Sequence, residues 1–288
     1  MAQPESILIA PLPKPVVKFG TPIAAVLLTS FFILWGFPYH HLTNRIATEA
    51  ASSLGVEIQA ADSGLTFGLA GPGFRFQDIS VKVPTGETYQ LDSVRLGPAW
   101  SLSWLTATPT LFFEIHSQLG NAEGTARTGD DASLSGSVSD LALADLTFLE
   151  TLLPMEITGT LNAQADVESL DGVPHGPITF DLRDGLLGHP MIPVEIPYDT
   201  IQGALAFGGE QRLSVETFEL LGPLLSFSAT GSVGQADAVV DSLLDIEIEF
   251  KKVPPQMRSI VEAMGGRVGR DGSSKLHVGG TVGQPVIR

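Results

Sequence analysis

From Met155 to Val167 the chain alternates without interruption. Met155, Ile157, Gly159, Leu161, Ala163, Ala165 and Val167 fall on one side, while Glu156, Thr158, Thr160, Asn162, Gln164 and Asp166 fall on the other. A period of two belongs to a strand with one dry and one wet face; a helix would repeat every 3.6 residues. The same phase runs through Leu244, Ile246, Ile248 and Phe250, which oppose Asp245, Glu247, Glu249 and Lys251. It recurs in Leu225, Phe227, Ala229, Gly231 and Val233, and in shorter runs at 74–83, 111–115, 134–138, 178–183, 201–207, 213–221 and 274–282. Turn-forming residues separate the runs: Pro84-Thr85-Gly86, Gly129-Asp130-Asp131, Asp171-Gly172, Gly208-Gly209 and Asp271-Gly272. Strand, turn, strand in this order predicts an antiparallel meander.

Two stretches break the alternation. "ALADLTFLETLLP" spaces its leucines for a helix and stops at Pro154, and "PPQMRSIVEAMGG" opens on helix-compatible prolines and closes at Gly265. A third short helical turn is expected at Pro98–Leu105. Within the alternating runs, glycine followed by Ser, Thr or Ala and an aliphatic residue recurs at Gly136, Gly159, Gly203, Gly231 and Gly280. The phrase "SFSATGSVGQ" returns near the end as "LHVGGTVGQPVIR". Glycine inside a strand marks a bend, a bulge or a close backbone approach. Repeated in successive hairpins, it predicts an elongated, curved antiparallel sheet with two or three short helices.

Composition narrows the function classes. Across 288 residues the hydrophobic share is 43% and the charged share only 17%, with 31 glycines and 20 prolines. That is enough apolar material for a large core, with the turn residues a β protein needs. The net charge of −16 is spread along the chain, so phosphate-rich nucleic acid is an improbable partner. There is no cysteine, which excludes disulfides, thiolate catalysis and cysteine-ligated metal.

Near the N-terminus, "FGTPIAAVLLTSFFILWGFP" (Phe19–Pro38) carries no charge. As a helix it would span roughly 30 Å, the hydrocarbon thickness of a bilayer. Trp35 and Tyr39 sit where interfacial aromatics are favoured, and Lys14 and Lys18 precede the run. Residues 1–18 then read as a cytoplasmic tail and 19–39 as a single transmembrane signal anchor. Residues 40–55 read as a helical extension ending at Gly55, and 56–288 as a β-rich domain across the membrane. A cleaved signal peptide fits less well, because the apolar run is long and no small-x-small site follows it.

No stretch matches a catalytic template: there is no phosphate loop, nucleophile elbow or His-Glu-x-x-His. His40, His41, His116, His175, His189 and His277 are dispersed, and Asp130, Asp131 and Asp184 read as turn acids. No catalytic residue, cofactor or metal is assigned. The remaining chemistry is that of surfaces. The candidate apolar groove face comprises Ile157, Leu161, Leu225, Phe227, Ile246, Ile248 and Phe250, with Gly159, Gly231 and Gly280 as structural strand glycines. An open face of this kind suits acyl chains or an apolar partner strand.

The order of features resembles a known family. After the anchor come "FQDISVKVPTGETYQLDSVRLGPAW" and "LSGSVSDLALADLTFLETLLPMEITGTLNA", and the chain closes on a short helix and "DGSSKLHVGGTVGQPVIR". This resembles type II secretion system protein N (GspN) and the wider AsmA-like superfamily over roughly residues 20–288. The family's recurrent glycines and its terminal Gly-x-aliphatic…Pro phrase fall here on Gly159, Gly231, Gly280, Thr281 and Pro285. The resemblance implies a single-pass protein of the bacterial inner membrane, with its N-terminus cytoplasmic and its C-terminal domain periplasmic. It implies a non-enzymatic accessory component of type II protein secretion, partnered by other inner-membrane secretion components. The AsmA-like relatives imply an alternative: a gutter-shaped sheet that binds or transfers phospholipid or assists outer-membrane assembly. The chain is short beside the large AsmA-like transporters.

Overall fold

The protein is described by a computed structural model. It covers Thr48, Ala51 and residues 55–287, excepting 69–70, 100–109, 128, 130, 150–155, 190–191, 209–211, 235–240, 252, 254, 256–257, 259–260 and 263–264. The expected anchor at 19–39 and tail at 1–18 lie outside the described residues. Among the described residues, no helix is long and apolar enough to cross a membrane.

Among the described residues, fifteen strands form one antiparallel, open sheet. They are β1 (Glu57–Gly68), β2 (Gly71–Lys82), β3 (Thr88–Pro98), β4 (Thr110–Ser117), β5 (Gly120–Arg127) and β6 (Ser133–Ala142). There follow β7 (Glu156–Ile157), β8 (Thr160–Leu170), β9 (Val173–His189), β10 (Ile192–Gly208) and β11 (Arg212–Leu221). The last are β12 (Ser226–Gly234), β13 (Leu244–Phe250), β14 (Ser274–Gly280) and β15 (Pro285–Ile287). Each strand pairs with the next in sequence; only the two-residue β7 stands aside, on β9, so that β6 pairs directly with β8. Tight turns make this order the natural one. Asp171 and Gly172 both take positive φ (54° and 78°), the geometry that joins β8 to β9 with two residues. Between β2 and β3, the Gly86 amide donates to the Val83 carbonyl at 2.9 Å.

Registration turns the alternation into rows. Leu141, Leu161, Leu182, Ile201, Leu220, Phe227 and Phe250 stand directly opposite one another on successive strands. This row is the floor of the core: Leu182, Ile201, Leu220 and Phe250 are buried, Leu220 completely. Each such side chain contributes about 1.5–3 kcal/mol on leaving water. Two short segments cover it. Leu143, Leu146 and Leu149 pack on the Leu182–Tyr198–Ile201–Leu220 cluster, and Val253, Val261 and Val268 pack with Leu225, Phe250 and Leu276. Aromatic contacts Phe180–Phe218, Phe218–Phe227 and Phe227–Phe250, with centroids 6.2, 5.8 and 5.6 Å apart, link the two.

Over the leucines after Ala142, where a helix is expected, the described residues form a 3-10 turn at Leu143–Asp145 and are helical at Leu149, and residues 150–154 lie outside the described residues. The Leu143 amide donates to the Gly159 carbonyl at 2.9 Å, so this segment bonds to the neighbouring chain and spends its leucines as a plug. Its far end is tied to β3. The Phe148 amide donates to the Tyr89 hydroxyl (3.3 Å), the two rings meet edge-on, and Tyr89 donates to Glu87 (2.8 Å). Hydrogen bonds from Thr147, then Tyr89, hold the Glu87 carboxyl below the usual carboxylate range. Pro98 is the last residue of β3, and residues 100–105 of the helical turn expected at Pro98–Leu105 lie outside the described residues. In the segment after β13, the described residues 255, 258, 261 and 262 are helical. At the start, Gly55 takes φ +66° and the Val56 amide donates to the Ala51 carbonyl (3.0 Å), the bond that closes a helix on a left-handed residue.

Strict alternation slips at three aspartates with left-handed backbone: Asp78 (φ 48°), Asp140 (φ 54°) and Asp184 (φ 53°). Phe76 and Ile79 are three residues apart yet both buried, as are Tyr198 and Ile201 on the strand opposite Asp184. At Asp140 an extra residue enters β6 between Val138 and Leu141. One left-handed residue therefore returns the apolar phase to the dry side.

Candidate functional site

The wet face carries a groove of about 1010 Å³ across β3 to β9. Its floor is a row of directly opposed residues: Arg95, Glu114, Glu123, Ser137, Gln164 and Thr179. Beside it run Phe112, Thr125, Ser135, Asp166 and Pro177. Arg95 donates to Glu114 at 2.7 Å, with both side chains partly exposed, so the pair adds little to stability but fixes the position of both groups. Phe112 forms one wall because Gly97 leaves room for it: a Cβ there would lie 2.5 Å from the ring. The groove continues into a smaller hollow of about 370 Å³, bounded by Asn162, Gln164, Thr179 and Asp181. Arg183 binds one Asp181 oxygen through two nitrogens (2.6 and 3.0 Å), and Asp181, then Asp184 and Asp140, hold its guanidinium pKa up. The arrangement offers hydroxyls, an amide and carboxylates along a shallow trough, with one aromatic wall: a surface for hydrogen-bonded recognition.

The dry face holds the groove residues expected from sequence, and most are enclosed. Ile157, Leu161 and Phe227 pack on the first cluster; Leu225 and Phe250 belong to the second, with Ile248 against it. Ile246 is half-buried and lies in neither cluster. Register brings Ile246, Ile248 and Phe250 alongside Gly231, Ala229 and Phe227. The open apolar stretch lies elsewhere on this face. Leu111 and Leu134 flank Ala126 in one row and are 44% and 46% exposed. The three glycines sit at close approaches with positive φ. A Cβ on Gly159 would meet the Tyr198 hydroxyl at 2.6 Å, one on Gly231 the Asp245 carbonyl at 2.1 Å, and one on Gly280 the Gln284 carbonyl at 2.6 Å.

The Tyr198 hydroxyl donates to the Thr158 carbonyl beside Gly159. Burial, then the Asp184 carboxylate, push its pKa up to about 12. His116 bonds Asn121 at 2.9 Å, and His277 lies 3.7 Å from Asp245. Among the described residues, no three His, Asp or Glu side chains group as metal ligands. His40, His41 and Asp130 lie outside the described residues.

The wet-face groove was not singled out from sequence. Its signal is the polar phase of the alternations at 111–115, 134–138 and 178–183, but which polar residues share a row depends on register, and register is a long-range property. Comparisons with protein-family models, curated proteins and solved structures return no match.

Proposed function

We propose that the protein is a non-enzymatic accessory component of the type II protein secretion system. It is anchored in the bacterial inner membrane by residues 19–39, with its N-terminus cytoplasmic and its sheet in the periplasm. Its partners are other secretion components of that membrane, and it recognises them through the wet-face groove. The supporting observation is the groove itself: a row of Glu123, Ser137, Gln164 and Thr179 backed by the fixed Arg95–Glu114 pair. Such a row suits an extended, polar protein segment, whose backbone and side chains it can hydrogen-bond along its length. The test is affinity capture of the full chain from membranes, compared with a Ser137→Arg/Gln164→Arg variant that fills the trough. Secretion components should be retained by the wild type and lost from the variant. Their absence from the wild type, with normal export of folded exoproteins in a deletion strain, would overturn the reading.

A second reading takes the sheet as an AsmA-like gutter for phospholipid acyl chains. The observation that favours it is the exposed pair Leu111 and Leu134 on the dry face. Native mass spectrometry of the full chain should then show co-purifying phospholipid that Leu111→Asp/Leu134→Asp removes. A lipid-free wild-type spectrum counts against it.

A further inference from the structure

Charges on the wet face stand in an order that works against the fold. The row that floors the groove continues past β3: Arg75 of β2 stands directly opposite Arg95, and Gly64 of β1 opposite Arg75. Read across the sheet, the row is Gly64, Arg75, Arg95, Glu114, Glu123, Ser137. Two cations are neighbours, and then two carboxylates. Like charges directly opposed on adjacent strands are unfavourable, and exchanging Arg95 with Glu114 would make every charged neighbour opposite in sign.

Only the middle two are joined, Arg95 to Glu114 at 2.7 Å. Arg75 and Glu123 are exposed, and among the described residues neither has an ion-pair partner. Asp62, opposite Gln77, is diagonal to Arg75 and makes no ion pair with it. Beside Glu123 stand Ser137 and, along β5, Asn121 and Thr125, none of them cationic. The row therefore ends in an unmatched positive charge on one side of the fixed pair and an unmatched negative charge on the other. A local rule broken in this way, at a groove, points to a ligand that completes it.

We propose that the segment held in the groove carries the complementary order: an acidic residue over Arg75 and a basic residue over Glu123, four positions apart in an extended chain. This rests on the groove being the site of an extended protein segment. Two lengths set the spacing. Arg75 and Glu123 lie three strand gaps apart, about 14 Å at the usual separation of paired strands. Four residues of extended chain rise about 13–14 Å, and residues an even number apart face the same side. The residue between them lies over the Arg95–Glu114 pair, which is already neutral, while Phe112 walls the groove beside it. Further along, Ser137, Gln164 and Thr179 carry no charge, so the sign of the partner is read between β2 and β5. Charge matching of this kind selects the partner and its orientation more than it adds affinity.

The test is fluorescence anisotropy of labelled peptides with the full chain in non-ionic detergent, at low ionic strength where exposed charges are least screened. Thr-Glu-Thr-Ser-Thr-Lys-Thr has the required spacing, and Thr-Thr-Glu-Ser-Lys-Thr-Thr has the same composition with the charges two apart. The first should bind at least about fivefold more tightly, the scale of one exposed ion pair. Arg75→Glu should shift the preference to Thr-Lys-Thr-Ser-Thr-Lys-Thr, and Glu123→Lys to Thr-Glu-Thr-Ser-Thr-Glu-Thr. Each variant gains a peptide, which a folding defect would not produce. Equal binding of the two spacings by the wild type, no binding of either, or a preference that neither variant shifts overturns the proposal. So does capture of secretion components by Arg75→Glu and Glu123→Lys as fully as by the wild type, an outcome that leaves the groove reading standing. A wild type that captures no secretion component yet keeps the peptide preferences removes the secretion reading and supports the charge order.

Discussion

Gly203 shows how a single residue position is set by its neighbour across the strand gap. The Phe180 ring lies flat over it, so a Cβ would sit 2.4 Å from ring carbons. Glycine here carries the aromatic of the adjacent strand, covering backbone that would otherwise be wet. Gly203→Ala should therefore lower stability by about 1–3 kcal/mol through overpacking. In a Phe180→Leu background the same substitution should cost clearly less. Urea midpoints of the four proteins check this, and equal losses in both backgrounds would refute the contact. Tyr198 gives a second residue-scale expectation. The fold holds its proton until about pH 12, whereas an unfolded tyrosine releases it near its ordinary value of about 10. Its contribution is thus complete below pH 10 and is lost as pH rises from 10 towards 12. Tyr198→Phe should remove that part of the alkaline destabilisation while leaving the slope below pH 10 unchanged, as pH-dependent melting will show.

At the scale of the element, the alternation made most strands legible. Met155–Val167 and Leu244–Lys251 forecast β7, β8 and β13 because their apolar side chains fall on one face, where Ile157, Leu161, Ile248 and Phe250 pack into the core. Asp171-Gly172 forecast its turn because both residues tolerate positive φ. What escaped was the change of phase. Phe74 and Phe76 give way to Ile79 and Val81, and Leu213 and Val215 to Phe218 and Leu220, which looks like noise to a period-two reading. The physical cause is one or two residues that absorb the slip, and at Asp78 the residue is left-handed. A non-glycine residue there costs about 1–2 kcal/mol, least for Asp or Asn. Asp78→Gly should accordingly be neutral or stabilising. Asp78→Val should destabilise by at least about 1 kcal/mol, since a β-branched side chain tolerates that conformation worst. Equal thermal midpoints for the two variants would show that the backbone there relaxes freely. The groove was illegible for a related reason: Ser137 and Gln164 lie 27 positions apart in sequence, and only strand pairing makes them neighbours.

At the scale of the whole molecule, the sheet is a chain of nearest-neighbour contacts. Apart from β7, each strand bonds to those beside it in order, and the two buried clusters lie between β6 and β14. Stability in such an arrangement is a sum of local interfaces, so the ends can open without the middle. Hydrogen exchange should be slowest in β9 to β11, where Leu182, Ile201 and Leu220 are buried together, and fastest in β15. Leu220→Ala separates a linear from a concerted molecule. Removing a fully buried leucine costs about 2–5 kcal/mol. If cooperativity is local, protection should fall by a matching factor across β8 to β13 and stay unchanged in β2 and β3, since the buried Phe76 and Ile79 of β2 belong to neither cluster. An equal fall in β2 and β3 would mean that all fifteen strands open as one unit. The mutual support would then run through the Tyr89–Phe148 tie between β3 and the leucine plug, and Tyr89→Ala should restore independence.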